Sequence, residues 1–274
     1  MAIYLCRNCG EELSYTQHFR SPFCDNSACQ RAKVQSYFVE LDELKELNKK
    51  IEVTVKLRSQ SYLANLPNDE KEKVAIAEEP NIALLPFNST QLSQLNDNRK
   101  SEFLANLGAL FQAIEDDTPL SSENYSDVLD DPLPDKDAIL LGKACATCRG
   151  SCCRLGKEHA FQDYASLDYF LAKQSPPLQL KELMDLYKGY FPEVSYLNSC
   201  VFQGEHGCTL PRDLRSFTCK NYRCDALTTY HQGLITKDHD LTFAAAVEGE
   251  KIRIIQIFDK EHFITVHNND IDCD

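Results

Sequence analysis

Thirteen cysteines, arranged as two groups and one singleton, constrain this chain more than any other feature. Four lie within the first 30 residues, eight lie between positions 145 and 224, and Cys273 stands alone beside the C-terminus. The first residues lack the basic and apolar segments of a signal peptide, and no apolar stretch reaches the roughly 18 residues that cross a bilayer. Without an export signal, cysteines are more often metal ligands than disulfide partners. The sequence therefore predicts a cytoplasmic metal-binding protein without a membrane segment.

The first cysteine group has the spacing of a zinc finger. Two residues separate Cys6 from Cys9, and four residues separate Cys24 from Cys29. A two-residue gap lets one tight turn aim two thiolates at the same ion, and Gly10 suits the backbone angles of such a turn. We therefore expect these four cysteines to ligate one Zn²⁺.

The residues around these pairs are typical of a small mixed finger. Alternation over residues 13–16 predicts a short strand, and the capping side chains at 25–27 predict a helix that begins beside the second pair. The motifs Cys9-Gly10 and Phe23-Cys24 resemble those of treble-clef zinc fingers, although the last cysteine gap is longer here. The resemblance implies a zinc-finger module over residues 1–33. Its net charge of +1 is too small to predict nucleic-acid binding, so a structural metal is expected.

Residues 34–114 carry hydrophobic patterns without a chemical motif. Apolar residues recur at helical spacing over residues 34–47, which predicts an amphipathic helix. Strict alternation over residues 51–57 predicts a strand, and residues 82–87 form a second short apolar run. Helical spacing returns between residues 90 and 115. We expect a mixed, mainly helical middle region.

An acidic stretch follows. Residues 115–137 contain nine Asp or Glu, one Lys and three Pro, which predicts an exposed linker over residues 115–141. The tail at 259–274 is also acidic. With 42 Asp and Glu against 29 Lys and Arg, the chain has a net charge of −13. This balance argues against a nucleic-acid-binding surface, which needs cationic charge.

The second cysteine group is dense. Its members are Cys145, Cys148, Cys152, Cys153, Cys200, Cys208, Cys219 and Cys224. Successive side chains diverge, so the adjacent pair Cys152 and Cys153 indicates two centres or a binuclear site. Residues 142–224 carry a net charge of +3, which would offset thiolate charge. His206, two residues before Cys208, is an alternative ligand.

This group resembles the CxxCxxCC cysteine-cluster family, also called YkgJ-type, whose members are described as chelating zinc or iron. The resemblance covers about 80 residues and rests on Cys145-x2-Cys148-x3-Cys152-Cys153 and on the closing run from Arg215 to Cys224. Two departures are a longer second gap and Ser216 where the family has proline. The resemblance implies metal chelation by all eight cysteines. Some relatives are protein lysine methylases, which implies an iron–sulfur enzyme as the alternative.

The expected fold is α+β: a treble-clef-like finger, then a helical, cysteine-rich metal domain over residues 142–258 that ends in a β-hairpin. The hairpin is predicted from two apolar runs at 241–247 and 251–258 around a Glu-Gly-Glu turn. No glycine-rich phosphate loop occurs. We expect Zn²⁺ in the finger and either Zn²⁺ or a four-iron, four-sulfur cluster in the second group. The leading interpretation is a binding or scaffold protein with an unidentified protein partner, and whether the chain is an enzyme stays open.

Overall fold

The computed structural model describes residues 3–67, 79–116, 134–236, 240–267 and 271–272. Most of the predicted acidic linker, part of the acidic tail and Cys273 lie outside these ranges. Helices and strands are mixed, and the chain divides into two compact units, residues 1–53 and 54–274. None of the described helices combines the length and the apolar character that a membrane crossing needs.

The N-terminal unit begins with a two-stranded ribbon. Strands β1 (Tyr4–Leu5) and β2 (Glu12–Leu13) pair antiparallel and are followed by helix α1 (Tyr15–Arg20). The strand predicted over residues 13–16 is wrong beyond Leu13. Ser14 caps α1, because its side chain accepts from the Gln17 amide while the Gln17 side chain accepts from the Ser14 amide.

Helix α2 (Ser27–Asn65) begins where the capping residues predicted a helix. The Asn26 side chain accepts from the Ala28 amide at 2.9 Å. The strand predicted over residues 51–57 is wrong, because α2 continues through it. Ile51, Val55 and Ser59 are buried at four-residue spacing, and no glycine or proline interrupts the helix.

The second unit contains a five-stranded sheet. Strands β8 (Thr242–Glu248), β9 (Lys251–Phe258) and β10 (Phe263–His267) run antiparallel in sequence, which confirms the predicted hairpin. The apolar run after residue 80 is strand β3 (Asn81–Pro86), which pairs parallel with β8 from Asn81 opposite Thr242 to Pro86 opposite Val247. The order is β10-β9-β8-β3, and β11 (Ile271–Asp272) pairs with β9.

Helices and short strand pairs complete this unit. The helices are α3 (Asp97–Asp116), α4 (Asp135–Thr147), α5 (Tyr164–Ala172), α6 (Leu180–Lys188), α7 (Phe217–Asn221) and α8 (Asp225–Thr236), with 3₁₀ turns at Cys152–Gly156 and Arg212–Leu214. The short pairs are β4 (Leu92–Gln94) with β5 (Val194–Tyr196) and β6 (Gln203–Gly204) with β7 (Gly207–Cys208). Helix α4 begins at Asp135, within the last residues of the predicted acidic linker.

Two hydrophobic clusters lie in this unit. The sheet-side core joins β3, β8 and β9 to α4 and α8, through residues such as Leu85, Leu140, Tyr230 and Phe258. The helical core joins α3 to α5, α6 and the segment at 200–214. In the helical core, the Phe103 ring lies 4.8 Å from the Phe202 ring, edge to face. Residues on both sides of the acidic stretch therefore share the same cores.

Candidate metal centres

Four thiols converge in the N-terminal unit. The Sγ atoms of Cys6, Cys9, Cys24 and Cys29 all lie within 4.8 Å of one another. Cys6, Cys24 and Cys29 are buried, while Cys9 is exposed. The three buried cysteines and Leu13 form a buried cluster in this unit, and Tyr4 and Phe23 pack against it. The structure thus brings together the four residues that the spacing singled out.

The turn between β1 and β2 aims the first two thiols. The Cys6 amide donates to the Glu11 carbonyl at 2.8 Å, and the Gly10 amide donates to the Cys6 carbonyl at 3.0 Å. Gly10 has φ +74°, in the left-handed region that favours glycine. The Arg7 amide donates to the Pro22 carbonyl at 2.9 Å, which ties this turn to the residues before Cys24.

Polar hydrogen atoms point at the sulfurs. The Cys24 amide donates to Cys6 Sγ at 3.3 Å, and Asn8 Nδ2 donates to Cys29 Sγ at 3.4 Å. Hydrogen bonds from the backbone amides of Cys9 and Cys24 hold the pKa of Cys6 at about 6, below its usual 9.0. Such donors stabilise a thiolate, the form that binds metal.

The sulfur spacing fits a single tetrahedral ion. With Zn–S bonds of about 2.3 Å, two thiolates at a tetrahedral angle lie about 3.8 Å apart. Cys9 Sγ and Cys24 Sγ lie 3.7 Å apart. This separation matches the expected value, and the four thiols together could hold a metal ion.

The eight remaining candidate ligands all lie in the second unit, along several elements. Cys145 lies in α4 and Cys148 directly after it, Cys152 and Cys153 in the first 3₁₀ turn, Cys200 between β5 and β6, Cys208 in β7, Cys219 in α7, and Cys224 directly before α8. All eight are free thiols. Among the described residues, the N-terminal group is the one set of three or more potential ligands whose atoms all lie within 4.8 Å. The eight thiols are thus not packed as tightly as those of the finger.

Six of the eight cysteines pack on one of the two cores. Cys148 is part of the sheet-side core, and Cys145 and Cys224 pack against it. Cys200 is part of the helical core, and Cys153 and Cys208 pack against that one. Cys152 interacts with thiols on both sides, because its charge raises the pKa of Cys145, Cys148 and Cys219, and its sulfur accepts a hydrogen bond from the Cys153 thiol.

Burial and the negative charge of neighbouring thiolates raise the pKa of several of these thiols. Burial is the first cause that raises the pKa of Cys145, Cys148 and Cys219, and that of Cys148 reaches about 11. Cys152 is the exception: a hydrogen bond from the Cys153 thiol holds its pKa at about 7. Without a metal, Cys145, Cys148 and Cys219 would therefore be mostly protonated at neutral pH, and a bound cation would supply the charge that favours their thiolates.

A buried amide faces the cysteine turn without a partner. Gly150 lies between Cys148 and Cys152 with φ +69°, and a Cβ built on it would lie 2.5 Å from the Gln203 side chain. Gln203 is buried, and its Nε2 finds no hydrogen-bond partner among the described residues. Buried amide donors are nearly always paired in folded proteins. An acceptor at this position, such as a metal-bound thiolate, would satisfy it.

Two side chains fix the cluster loops to the rest of the unit. Asn88, just after β3, is buried, and its Nδ2 donates to the Arg149 carbonyl at 2.9 Å. The Asn88 amide also donates to the Cys148 carbonyl at 3.1 Å. Arg99 of α3 pairs with Glu158 at 2.7 Å and donates to the Ser199 carbonyl, next to Cys200.

Sequence reasoning missed Asn88, Arg99 and Gln203. Asn88 and Arg99 lie far along the sequence from the cysteine loops that they contact, and Gln203 is not part of the cysteine spacing. No local pattern therefore marks any of the three. Arg215 belongs to the segment whose net positive charge would offset thiolate charge, and its guanidinium lowers the pKa of Cys145 and Cys219. His206 lies in a cavity wall together with Cys208.

Comparison of the chain with protein-family models, curated proteins and solved structures finds no match.

Proposed function

We propose that the chain is a metal-binding protein with one Zn²⁺ in its N-terminal unit. Cys6, Cys9, Cys24 and Cys29 would hold the ion. The observation that carries this proposal is the convergence of these four thiols within 4.8 Å. Amide donors to sulfur and the 3.7 Å sulfur separation support it. The metal would have a structural role, since four thiolates leave no open position for a substrate.

We further propose that the eight cysteines of the second unit form two sets of four. One set is Cys145, Cys148, Cys152 and Cys224. The other is Cys153, Cys200, Cys208 and Cys219. Packing of three members of each set on a different core supports this division. The unpartnered amide of Gln203 supports the presence of a bound group near the first set.

The wider spacing of these thiols favours iron–sulfur clusters over single zinc ions. A zinc site with four thiolates needs all six sulfur separations near about 3.8 Å, and in the finger the four sulfurs all lie within 4.8 Å of one another. An iron–sulfur cluster places irons and sulfides between the cysteine sulfurs, so its ligands stand farther apart. None of the described trios in the second unit meets the tighter spacing. An iron–sulfur protein is therefore the second candidate, beside a zinc-binding scaffold.

Metal analysis of the full chain tests both proposals. The protein is purified anaerobically, and zinc, iron and sulfide are measured per chain together with the visible spectrum. Cys24→Ser should remove one zinc only. Cys148→Ser should remove metal of the second unit only, and Cys273→Ser should change neither.

The outcomes separate the candidates. Iron with matching sulfide and visible absorption identifies clusters in the second unit, whereas additional zinc in a colourless protein identifies zinc sites there. Full metal content in Cys24→Ser would refute the finger site, and full content in Cys148→Ser would refute the second centre.

A further inference from the structure

A cavity of about 570 Å³ adjoins the eight cysteines. Its walls come from α4, from the segment at 206–223, from the start of α8 and from β10. Three thiols reach this wall, those of Cys145, Cys208 and Cys219. The volume lies within the range of about 300–1,000 Å³ that small-molecule sites occupy.

The cavity wall is cationic. Lys143, Arg212, Arg215, Lys220 and Arg223 line it, and so does His206. None of the described residues that line it is Asp or Glu, although acidic residues outnumber basic ones by 42 to 29 in the chain. Concentrated positive charge in an acidic protein is a local feature that composition does not explain.

Part of this charge already has a role in the fold. Lys143 Nζ donates to the carbonyls of Asp259, Lys260 and His262. Arg215 lowers the pKa of two thiols in the wall, and its Nε donates to the Leu210 carbonyl at 2.9 Å. Arg212 and Arg223 complete the positive wall, and Arg223 Nη1 also donates to His231 Nδ1 at 3.4 Å.

The rest of the wall is apolar or aromatic. Ile139, Leu141 and Leu227 line the cavity beside the rings of Tyr222 and Phe263. Apolar lining with a few convergent polar groups is typical of sites for organic ligands rather than for simple ions. Arginine forks match the paired oxygens of phosphate and carboxylate groups.

We propose that this cavity binds a small organic anion, with its phosphate or carboxylate group at Arg212 and Arg223 and its apolar or ring portion against Leu227 and Phe263. The site lies within the second unit, and its ligand would contact the wall that carries Cys145 and Cys219. The inference rests on the proposed function only in that these thiols belong to the proposed metal centre. The cationic wall and the cavity are independent of metal identity.

Calorimetry on the anaerobically purified full chain tests the proposal with four probes. Adenosine monophosphate carries both a ring and a phosphate, adenosine carries the ring alone, inorganic phosphate the anion alone, and citrate only carboxylates. We expect adenosine monophosphate or citrate to bind, and adenosine to bind at least about 10-fold more weakly than its monophosphate, since a charge-assisted hydrogen bond contributes about that factor. Binding of the monophosphate but not citrate assigns phosphate as the anion, and the reverse assigns carboxylate.

Arg212→Gln and Arg223→Gln should each weaken binding by about 10-fold or more. Arg154→Gln is the matched control, because Arg154 follows Cys153 but does not line the cavity. Binding that neither cavity variant weakens, adenosine binding equal to that of its monophosphate, or no binding of any probe would overturn the proposal.

Metal content is measured on the same samples. Absent binding with a full metal complement refutes the anion site and leaves the proposed function intact. Anion binding in a protein without metal in the second unit refutes the proposed function there and leaves the anion site intact.

Discussion

The substitution Cys29→Ser should remove the zinc that we propose for the N-terminal unit and unfold the residues around it. Cys29 is 1% exposed, lies at the start of α2 and accepts a hydrogen bond from Asn8. The buried cluster of this unit consists of three cysteines and Leu13. Burial of one leucine contributes only about 1.5–3 kcal/mol. A structural zinc contributes about 10–16 kcal/mol, so the metal dominates the stability of the finger.

Two measurements on the full chain check this expectation. Competition with a chromophoric chelator should show one fewer zinc per chain in Cys29→Ser, with affinity at that site reduced by about 100-fold or more. Hydrogen exchange should show lost protection of the Cys6 and Gly10 amides, which bond within the β1–β2 turn.

Leu13→Ala provides the matched control. It removes the one aliphatic side chain of the cluster, which should cost about 2–5 kcal/mol, but it leaves all four thiols in place. Zinc stoichiometry should therefore stay at the wild-type value. If Cys29→Ser kept both its zinc and its amide protection, the argument that metal rather than apolar burial holds this unit together would be refuted.

Three further predictions concern the second unit. Gly150→Ala should destabilise it by about 2–4 kcal/mol, because the new Cβ would meet a buried side chain, whereas Gly249→Ala, also at positive φ but in open space, should cost only about 1–2 kcal/mol in denaturant unfolding. Arg99→Met should cost about 2–4 kcal/mol, because it leaves Glu158 unpaired at 23% exposure, while Lys100→Met breaks an exposed pair and should cost less than about 1 kcal/mol. In chelator-treated protein, alkylation of Cys152 should increase as pH rises through about 7, since deprotonation produces the reactive thiolate. Cys152 should also be alkylated before Cys145 and Cys148, whose pKa is raised. Equal alkylation rates of these cysteines in peptide mass spectrometry would contradict the lower pKa of Cys152.

Local signals predicted the finger better than they predicted the strands. The paired cysteines, Gly10 and the capping residues at 25–27 act within one turn, and the structure shows the turn and the helix start there. The Ser14–Gln17 capping box was also present in the sequence, but the alternation over residues 13–16 was read as a strand. Residues 51–57 alternate as in a strand, but the buried Ile51 and Val55 are also four residues apart, as in a helix. The structure has the helical conformation there, as part of the uninterrupted helix that begins at Ser27.

Long-range packing could not be read from the sequence. Strand β3 pairs with β8, which lies about 160 residues later, and no motif in either strand specifies that partner. The division of the eight cysteines that we propose likewise rests on long-range packing. Spacing identified the residues of interest, but it did not indicate that three of them pack on the sheet-side core and three on the helical core.

Because of the same two cores, we expect the second unit to stay folded when its metal is lost. The cysteine spacing alone predicts that loss of one ligand unfolds residues 142–258, because the sequence indicates little other core for these loops. The structure instead places these loops between two extensive hydrophobic clusters. Cys148→Ser, at a site 6% exposed, should place a hydroxyl in the sheet-side core at a cost of about 1–3 kcal/mol.

For a unit of this size, that cost corresponds to a decrease in Tm of about 2–12 °C relative to the metal-free wild-type chain. We therefore expect Cys148→Ser to lose metal from the second unit, to keep the far-ultraviolet circular dichroism of its helices and sheet, and to melt moderately below chelator-treated wild type. The finger responds differently because its buried cluster is made of its ligands, whereas here the ligands pack on cores that are mostly aliphatic and aromatic. Loss of secondary structure throughout the second unit of Cys148→Ser would show that metal, rather than these cores, supplies most of its stability.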